Sequence, residues 1–160
     1  MSKTIALVSG IPPQFENAMP ARWLYHSEWF LVAAALAETT STVWFILSAR
    51  YGLLHPDQKI APYELVLSDL TPDQRQAWAE GVLQSLTQIL KPSDRLLLLA
   101  EPDYHAALYA ILENSNWRLA VPLRGMPAAS QVVWMQNAID HPVQHPTMKS
   151  TSSSDTIPIR

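Results

Sequence analysis

The sequence has no cysteine. Without one, a disulfide, a thiolate metal site and a cysteine nucleophile are all excluded, and the composition fits a reducing compartment, so a cytoplasmic location is expected. Glycine is scarce, with four in 160 residues. None of the four belongs to a GxGxxG or a GxxxxGK-S/T pattern, so neither a dinucleotide fold nor a phosphate-binding loop is expected, and no cofactor is implied. Long apolar runs are missing as well. The runs present fall short of the roughly 18 residues that a bilayer span needs, which argues against a membrane partner. The opening "MSKTIALVSG" turns at once into Gly and Pro, so it reads as a first strand rather than a cleaved signal. Positive charge is also thin: 11 Lys and Arg stand against 14 Asp and Glu, and the cations are scattered singly. A basic stripe of the kind that coats duplex DNA is therefore disfavoured, although net charge does not fix the field inside a pocket.

What is present describes one globular domain. Hydrophobic residues make up 48% of the chain, with six Trp. Four continuous apolar runs, Thr4 to Ser9, Thr42 to Ser48, Arg95 to Ala100 and Trp117 to Pro122, have the character of parallel strands covered on both faces. Helical patterns lie between and after them. The first is rich in Ala and Leu over Ala21 to Glu38. The second starts at Thr71, with Pro72 at the first helical position and Gln74 completing a capping box, and ends near Lys91 to Asp94. The others cover Asp103 to Asn114 and Ala128 to Ile139. This alternation implies an α/β fold, a three-layer sandwich with a mainly parallel four-stranded sheet, over residues 1–140. The Pro-, Ser- and Thr-rich remainder, 141–160, is expected to be a flexible tail.

In such a sheet, ligands bind beyond the carboxyl ends of the strands. The residues delivered there are Ser9 and Gly10, then Ser48, Ala49 and Arg50, then Ala100 and Glu101, then Leu123, Arg124 and Gly125. Arg50, Arg124 and Arg22 have two readings: convergence on a phosphate or carboxylate, or separate pairing with nearby carboxylates. Glu101, the one acid at a strand exit, is the candidate general acid or base, against the alternative that it caps the helix beginning at Asp103. Tyr25, His26 and Ser27 are expected early in the first helix, where the adjacent His26 and Ser27 point apart and form no nucleophile pair. His141 and His145 are separated by prolines that break the helix a shared metal would need, so no metal site is expected. The tryptophans are expected mostly in the core; for Trp23 and Trp29, partial exposure beside Arg22 would suit a base or nucleoside, and a helix-packing role for both is the favoured reading.

One stretch resists a regular pattern. "FILSARYGLLHPDQKIAPYELVL", Phe45 to Leu67, leaves a strand and then shows neither helical nor alternating periodicity. Its Gly52 permits a tight turn, Pro56 and Pro62 restrict the chain, and Leu53, Leu54, Ile60, Leu65 and Leu67 argue against disorder. This reads as a rigid pocket wall that fixes Arg50, Tyr51, Tyr63 and Glu64 over a crevice.

The same stretch, with "SD" following, resembles the central signature of the YaaA-like superfamily: a strand ending in Leu-Ser, a Tyr-Gly-Leu-Leu-x-Pro turn and a Pro-Tyr pair. "LYHSEWF" (Leu24 to Phe30), "LLLLAEPDYHAAL" with Tyr104, and "VPLRGMPAASQVVWM" are similar to its other segments. The resemblance covers about residues 5–139. It implies an α/β fold and, as in the longer members named peroxide stress proteins, DNA binding and limitation of oxidative damage. Two features depart from it: the helical DNA-binding insertion has no room here, and "SGIPPQF" stands where relatives carry a lysine after the first strand. The resulting expectation is a protein that binds a nucleobase, nucleotide or nucleic-acid end through Arg50, Arg124 and Tyr63, in DNA maintenance or stress defence. The alternative is a non-catalytic accessory subunit that binds a protein partner on a degenerate YaaA-like fold.

Overall fold

The computed structural model describes residues 2–141. In chain order the elements are β1 (Thr4–Ser9), β2 (Met19–Pro20), α1 (Ala21–Leu24), α2 (Glu28–Thr40), β3 (Val43–Ser48), β4 (Gly52–Leu54), β5 (Lys59–Ile60), α3 (Pro72–Ile89), β6 (Arg95–Leu99), α4 (Pro102–Glu113), β7 (Arg118–Ala120) and α5 (Ala128–Asp140). A short 3-10 turn occupies Leu67–Asp69. From residue 142 onward, the expected tail and its His145 lie outside the described residues.

The main sheet has five strands in the order β4-β3-β1-β6-β7. Its β1/β3, β1/β6 and β6/β7 pairs are parallel, and β4 runs antiparallel to β3. The fold is therefore α/β with a mostly parallel sheet, and the expected strand count of four is corrected to five. The extra strand lies inside the irregular stretch. Gly52 adopts a φ of 76°, which favours glycine, so the chain reverses after Tyr51 and pairs Leu53 with Leu47 and Leu54 with Ile46. Farther along the same stretch, β5 pairs with β2 through Met19 and Ile60.

Strand β1 is flanked on both sides, which explains its unbroken apolar run. Ala6 and Val8 join one apolar cluster with Phe30 and Ala33 of α2 and Met135 of α5. Ile5 and Leu7 join another with Val82 and Leu86 of α3 and Leu108 and Leu112 of α4. Each large apolar side chain fully buried in these clusters stabilises the fold by about 1.5–3 kcal/mol relative to its exposed state. No helix among the described residues is long and apolar enough to cross a membrane.

The capping box that opens α3 is present: Gln74 donates its backbone N–H to Thr71 Oγ1, and Thr71 donates its own to Gln74 Oε1. The first helix departs from expectation. Instead of one helix over Ala21 to Glu38 there are two, because the Tyr25 backbone is extended and bridges Gln14, while His26 donates its N–H to the Pro13 carbonyl. Ser27 then restarts the helix as an N-cap, accepting the Phe30 N–H. Tyr25, His26 and Ser27 thus sit between two helices rather than within one. Trp29 packs between helices as expected, buried with its indole N–H donated to Gln131, while Trp23 departs from the packing role and is exposed.

One buried charge ties the amino end of the sheet together. Asp94 is fully buried and accepts the backbone N–H groups of Lys3 at 2.8 Å and Lys91 at 2.9 Å. These two hydrogen bonds, that from Lys91 first, hold its carboxyl below the usual carboxylate range. A folded-state pKa below the unfolded one adds stability that is present above the unfolded value, near 3.9, and is lost as pH falls through the folded one. The urea midpoint of the wild type is therefore expected to drop more between pH 6 and pH 3 than that of Asp94→Asn. The variant is expected to be the less stable of the two at pH 6, and parallel pH profiles for the two proteins would contradict this account.

Candidate functional site

The topology opens one crevice in particular. Strands β1 and β6 are neighbours. The chain leaves β1 for α2, which joins the cluster of Ala6 and Val8, and leaves β6 for α4, which joins the cluster of Ile5 and Leu7. Because the two exits diverge to opposite faces, a gap opens beyond the carboxyl ends of this strand pair. A cleft of about 780 Å³ lies there. Gly10, Ile11, Pro12, Gln14, Phe15 and Glu16 line it from the β1 exit, Glu101, Asp103 and Tyr104 from the β6 exit, and Pro62 to Ser68 form the facing wall.

The wall is fastened by hydrogen bonds. Tyr63 donates its backbone N–H to Gln14 Oε1 at 2.9 Å, and the Tyr51 hydroxyl donates to the Ala61 carbonyl at 3.3 Å. Beneath the wall lies a cluster of three hydroxyls. Ser48 Oγ donates to the Tyr63 oxygen at 2.8 Å and accepts the Tyr51 N–H at 3.0 Å, and the Tyr25 and Tyr63 hydroxyls meet at 2.5 Å. Trp78 fixes the end of β3 by donating its indole N–H to the Ser48 carbonyl. Burial, ahead of the neighbouring phenol, pushes Tyr25 far above the usual tyrosine range, and burial raises Tyr63 as well. Both phenols are therefore neutral and act through hydrogen bonds rather than as phenolate bases.

The other side of the cleft carries acid. Glu101 donates its backbone N–H to Ser9 Oγ at 3.0 Å, which joins the two strand exits. It occupies the N-cap position of α4, where its carboxyl faces the Asp103 and Tyr104 amides without a capping hydrogen bond of ordinary geometry. Burial first, and the Asp103 charge second, raise its carboxyl above the ordinary range, while the Asp103 and Tyr104 amides oppose the shift. Tyr104 is only 4% exposed yet lines the cleft. Burial, then the nearby Tyr63 and Glu101, raise its phenol strongly.

The structure brings together part of the expected set. Gly10, Tyr63, Glu64, Glu101 and Tyr104 line the cleft, and Ser9, Tyr25 and Ser48 bond to or pack against that lining. Tyr51 flanks the Tyr63 ring edge-on at 5.5 Å, and Gly52 forms the hairpin turn beside it. The arginines do not converge. Arg50 is exposed, with its guanidinium over the Tyr51 ring, and is absent from the lining. Arg124 lies 4.1 Å over the Tyr109 ring and donates to its hydroxyl. Gly125, at a φ of 79°, turns the chain beyond the edge strand β7. Arg22 pairs with Glu38 and Asp57. His26 packs on Phe15. Among the described residues the lining has four carboxylates, Glu16, Glu64, Glu101 and Asp103, and no Lys, Arg or His. Among the described residues no three His, Cys, Asp or Glu side chains are grouped to hold a metal ion.

Sequence reasoning missed Gln14, Phe15, Glu16 and Asp103. The signal for the first three is the pair of prolines in "SGIPPQFE", which keeps the segment after β1 from re-entering a regular element and leaves it as a wall of the cleft.

No curated protein matches the chain. Residues 5–137 match the model of a family of unknown function, DUF6884, and the chain belongs to that family.

Proposed function

We propose that this chain is a YaaA-like protein that binds a nucleobase, either free or carried by a nucleotide or nucleic-acid end, in the cleft beyond β1 and β6, with a cytoplasmic role in DNA maintenance or stress defence. The observation that carries this reading is the composition of the switch-point cleft: among the described residues, aromatic rings and carboxylates with no cation. Phe15 and the phenols offer faces and edges to a heteroaromatic ring, and a carboxylate accepts the N–H donors that bases present. Four carboxylates repel a phosphate, so the base enters and any phosphate stays outside. The stretch with the most specific likeness to the YaaA-like superfamily, Phe45 to Leu67, supplies both Ser48 and the Tyr63 wall. The three-layer sandwich that goes with this reading is supported by the apolar clusters on the two faces of β1.

The test is a thermal-shift screen of adenosine, guanosine, cytidine and uridine, their 5′-monophosphates, and short single and double strands, at low and physiological salt. At least one nucleoside is expected to raise the melting temperature. Its monophosphate is expected to be weaker at low salt and to approach it as salt screens the carboxylates. Because burial and Asp103 raise Glu101, its carboxylate forms, and binding strengthens, as pH rises through that raised value. In the unliganded protein the sign is opposite: a raised folded pKa gives stability that is present below the unfolded value and is lost as pH rises through the folded one. Glu101→Gln is expected to remove the pH dependence of binding. A flat response to every compound would overturn the reading in favour of the accessory subunit.

A further inference from the structure

The hydroxyl cluster beneath the wall contains three protons and two hydrogen bonds between side chains. Ser48 is fully buried and Tyr25 is 1% exposed. Ser48 Oγ donates to the Tyr63 oxygen while accepting the Tyr51 N–H, and the Tyr25 hydroxyl meets the Tyr63 oxygen at 2.5 Å and also contacts Ser48. A buried hydroxyl proton with no acceptor is costly, so both residues donate to Tyr63. The two lone pairs of Tyr63 are then filled, and its own proton is the one left over. Of the three residues, Tyr63 alone lines the cleft. The opposite polarity, Tyr63 donating to Tyr25, would leave the Tyr25 proton only the remaining lone pair of Ser48 Oγ, to which Tyr25 makes no hydrogen bond of ordinary length.

We propose that Tyr63 is the specificity-determining donor of the cleft, with its proton directed to a ligand acceptor because Tyr25 and Ser48 occupy its oxygen. This rests on the base-binding reading and deepens it by naming the chemistry of the ligand: an uncharged ring with an acceptor, a carbonyl oxygen or a ring nitrogen, for Tyr63, and N–H donors for Glu101 on the facing side. Tyr25 and Ser48 are positioning residues that act through Tyr63. A hydrogen bond formed in such a cluster is polarised by the two that feed it, which strengthens Tyr63 as a donor. Among the smaller causes of the phenol shifts, the contact with Tyr63 raises Tyr25 and the contact with Tyr25 opposes the rise in Tyr63, as this polarity requires, while Ser48 opposes the rise in both.

The experiment has one arm without ligand and one with it. In wild-type protein labelled with carbon-13 at tyrosine Cζ and dissolved in an equal mixture of H2O and D2O, a slowly exchanging hydroxyl splits its Cζ resonance. Tyr25 is expected to show a split line, and Tyr63, whose proton faces the cleft, a single averaged one. A split Tyr63 line beside an averaged Tyr25 line overturns the proposal without any variant having to fold. In the second arm the four nucleosides are titrated into the wild type, Tyr63→Phe and Tyr25→Phe. The tightest nucleoside is expected to lose about five- to tenfold in affinity with Tyr63→Phe, and less with Tyr25→Phe. Unchanged affinity in a folded Tyr63→Phe protein overturns the proposal. If no nucleoside binds the wild type, the base-binding reading fails, while the isotope splitting still decides the polarity of the cluster.

Discussion

Gly10→Ala is expected to destabilise the protein by about 2–3 kcal/mol, a fall in melting temperature of roughly 5–10 °C for a chain of this length. A Cβ at this position would stand 2.6 Å from Tyr25 Cζ and 2.9 Å from Cε1 and Cε2. Neither partner can yield cheaply. Gly10 donates its N–H to the Leu47 carbonyl at 2.8 Å, which fixes the backbone to β3. Tyr25 is held by the Phe30 ring, 5.0 Å away, and by the Tyr63 hydroxyl. The penalty is steric and local to the hydroxyl cluster, so the same substitution is expected to disturb the wall and weaken ligand binding. Gly81→Ala provides the control, since its Cβ would meet nothing within 4 Å and it lies in α3. That change is expected to stabilise the helix by about 0.5–1 kcal/mol. Thermal denaturation followed by circular dichroism measures both variants. A loss below about 1 kcal/mol for Gly10→Ala would contradict the close approach on which the cluster depends.

The fold was legible wherever the sequence pattern and burial share one cause. The apolar runs of β1, β3 and β6 formed because a strand covered on both faces has no polar face to show, whereas β7 is an edge strand with Arg118 and Ala120 exposed, and the Thr71 to Gln74 capping box formed as its spacing implied. What escaped was structure decided by partners distant in sequence. Strand β4 has too few residues to display a period and exists because Leu53 and Leu54 find β3. The break at Tyr25 is set by a backbone bridge to Gln14, a pairing that helix propensity within Ala21 to Glu38 cannot reveal.

The site divides along the same line. Strand exits can be read from a sequence once the strands are known, and Gly10 and Glu101 do line the cleft. The direction of a long side chain cannot be read this way. Arg50 and Arg124 leave strand exits yet settle on neighbouring tyrosine rings, as a flexible stem allows. Removing them from the lining reverses the sign of the field expected in the cleft. An anion cradle becomes an acidic pocket, and under the proposed base-binding function the phosphate of a nucleotide is the part to exclude rather than to grip.

Away from the cleft, the largest effect is expected from Gln131→Ala, about 2–4 kcal/mol, measured as a shift of the urea midpoint. Gln131 is 2% exposed, and its amide is fully engaged. Its Oε1 accepts the Trp29 indole N–H at 2.8 Å, and its Nε2 donates to the Met126 carbonyl at 2.9 Å and the Leu123 carbonyl at 3.4 Å. One side chain thus joins α2, α5 and the turn before α5. Truncation opens a cavity and strands a buried indole donor at once, so the two costs compound. Trp29→Phe removes the donor while keeping an aromatic ring, and the double variant closes a thermodynamic cycle. A coupling of about 1 kcal/mol or more is expected between the two positions, because once the indole N–H is gone the lost amide no longer orphans it. Additive costs would show that Gln131 acts only by filling space. Gln131 does not line the cleft, so the nucleoside affinity of a folded Gln131→Ala protein is expected to match the wild type, which separates the stability of the helical layer from the chemistry of the pocket.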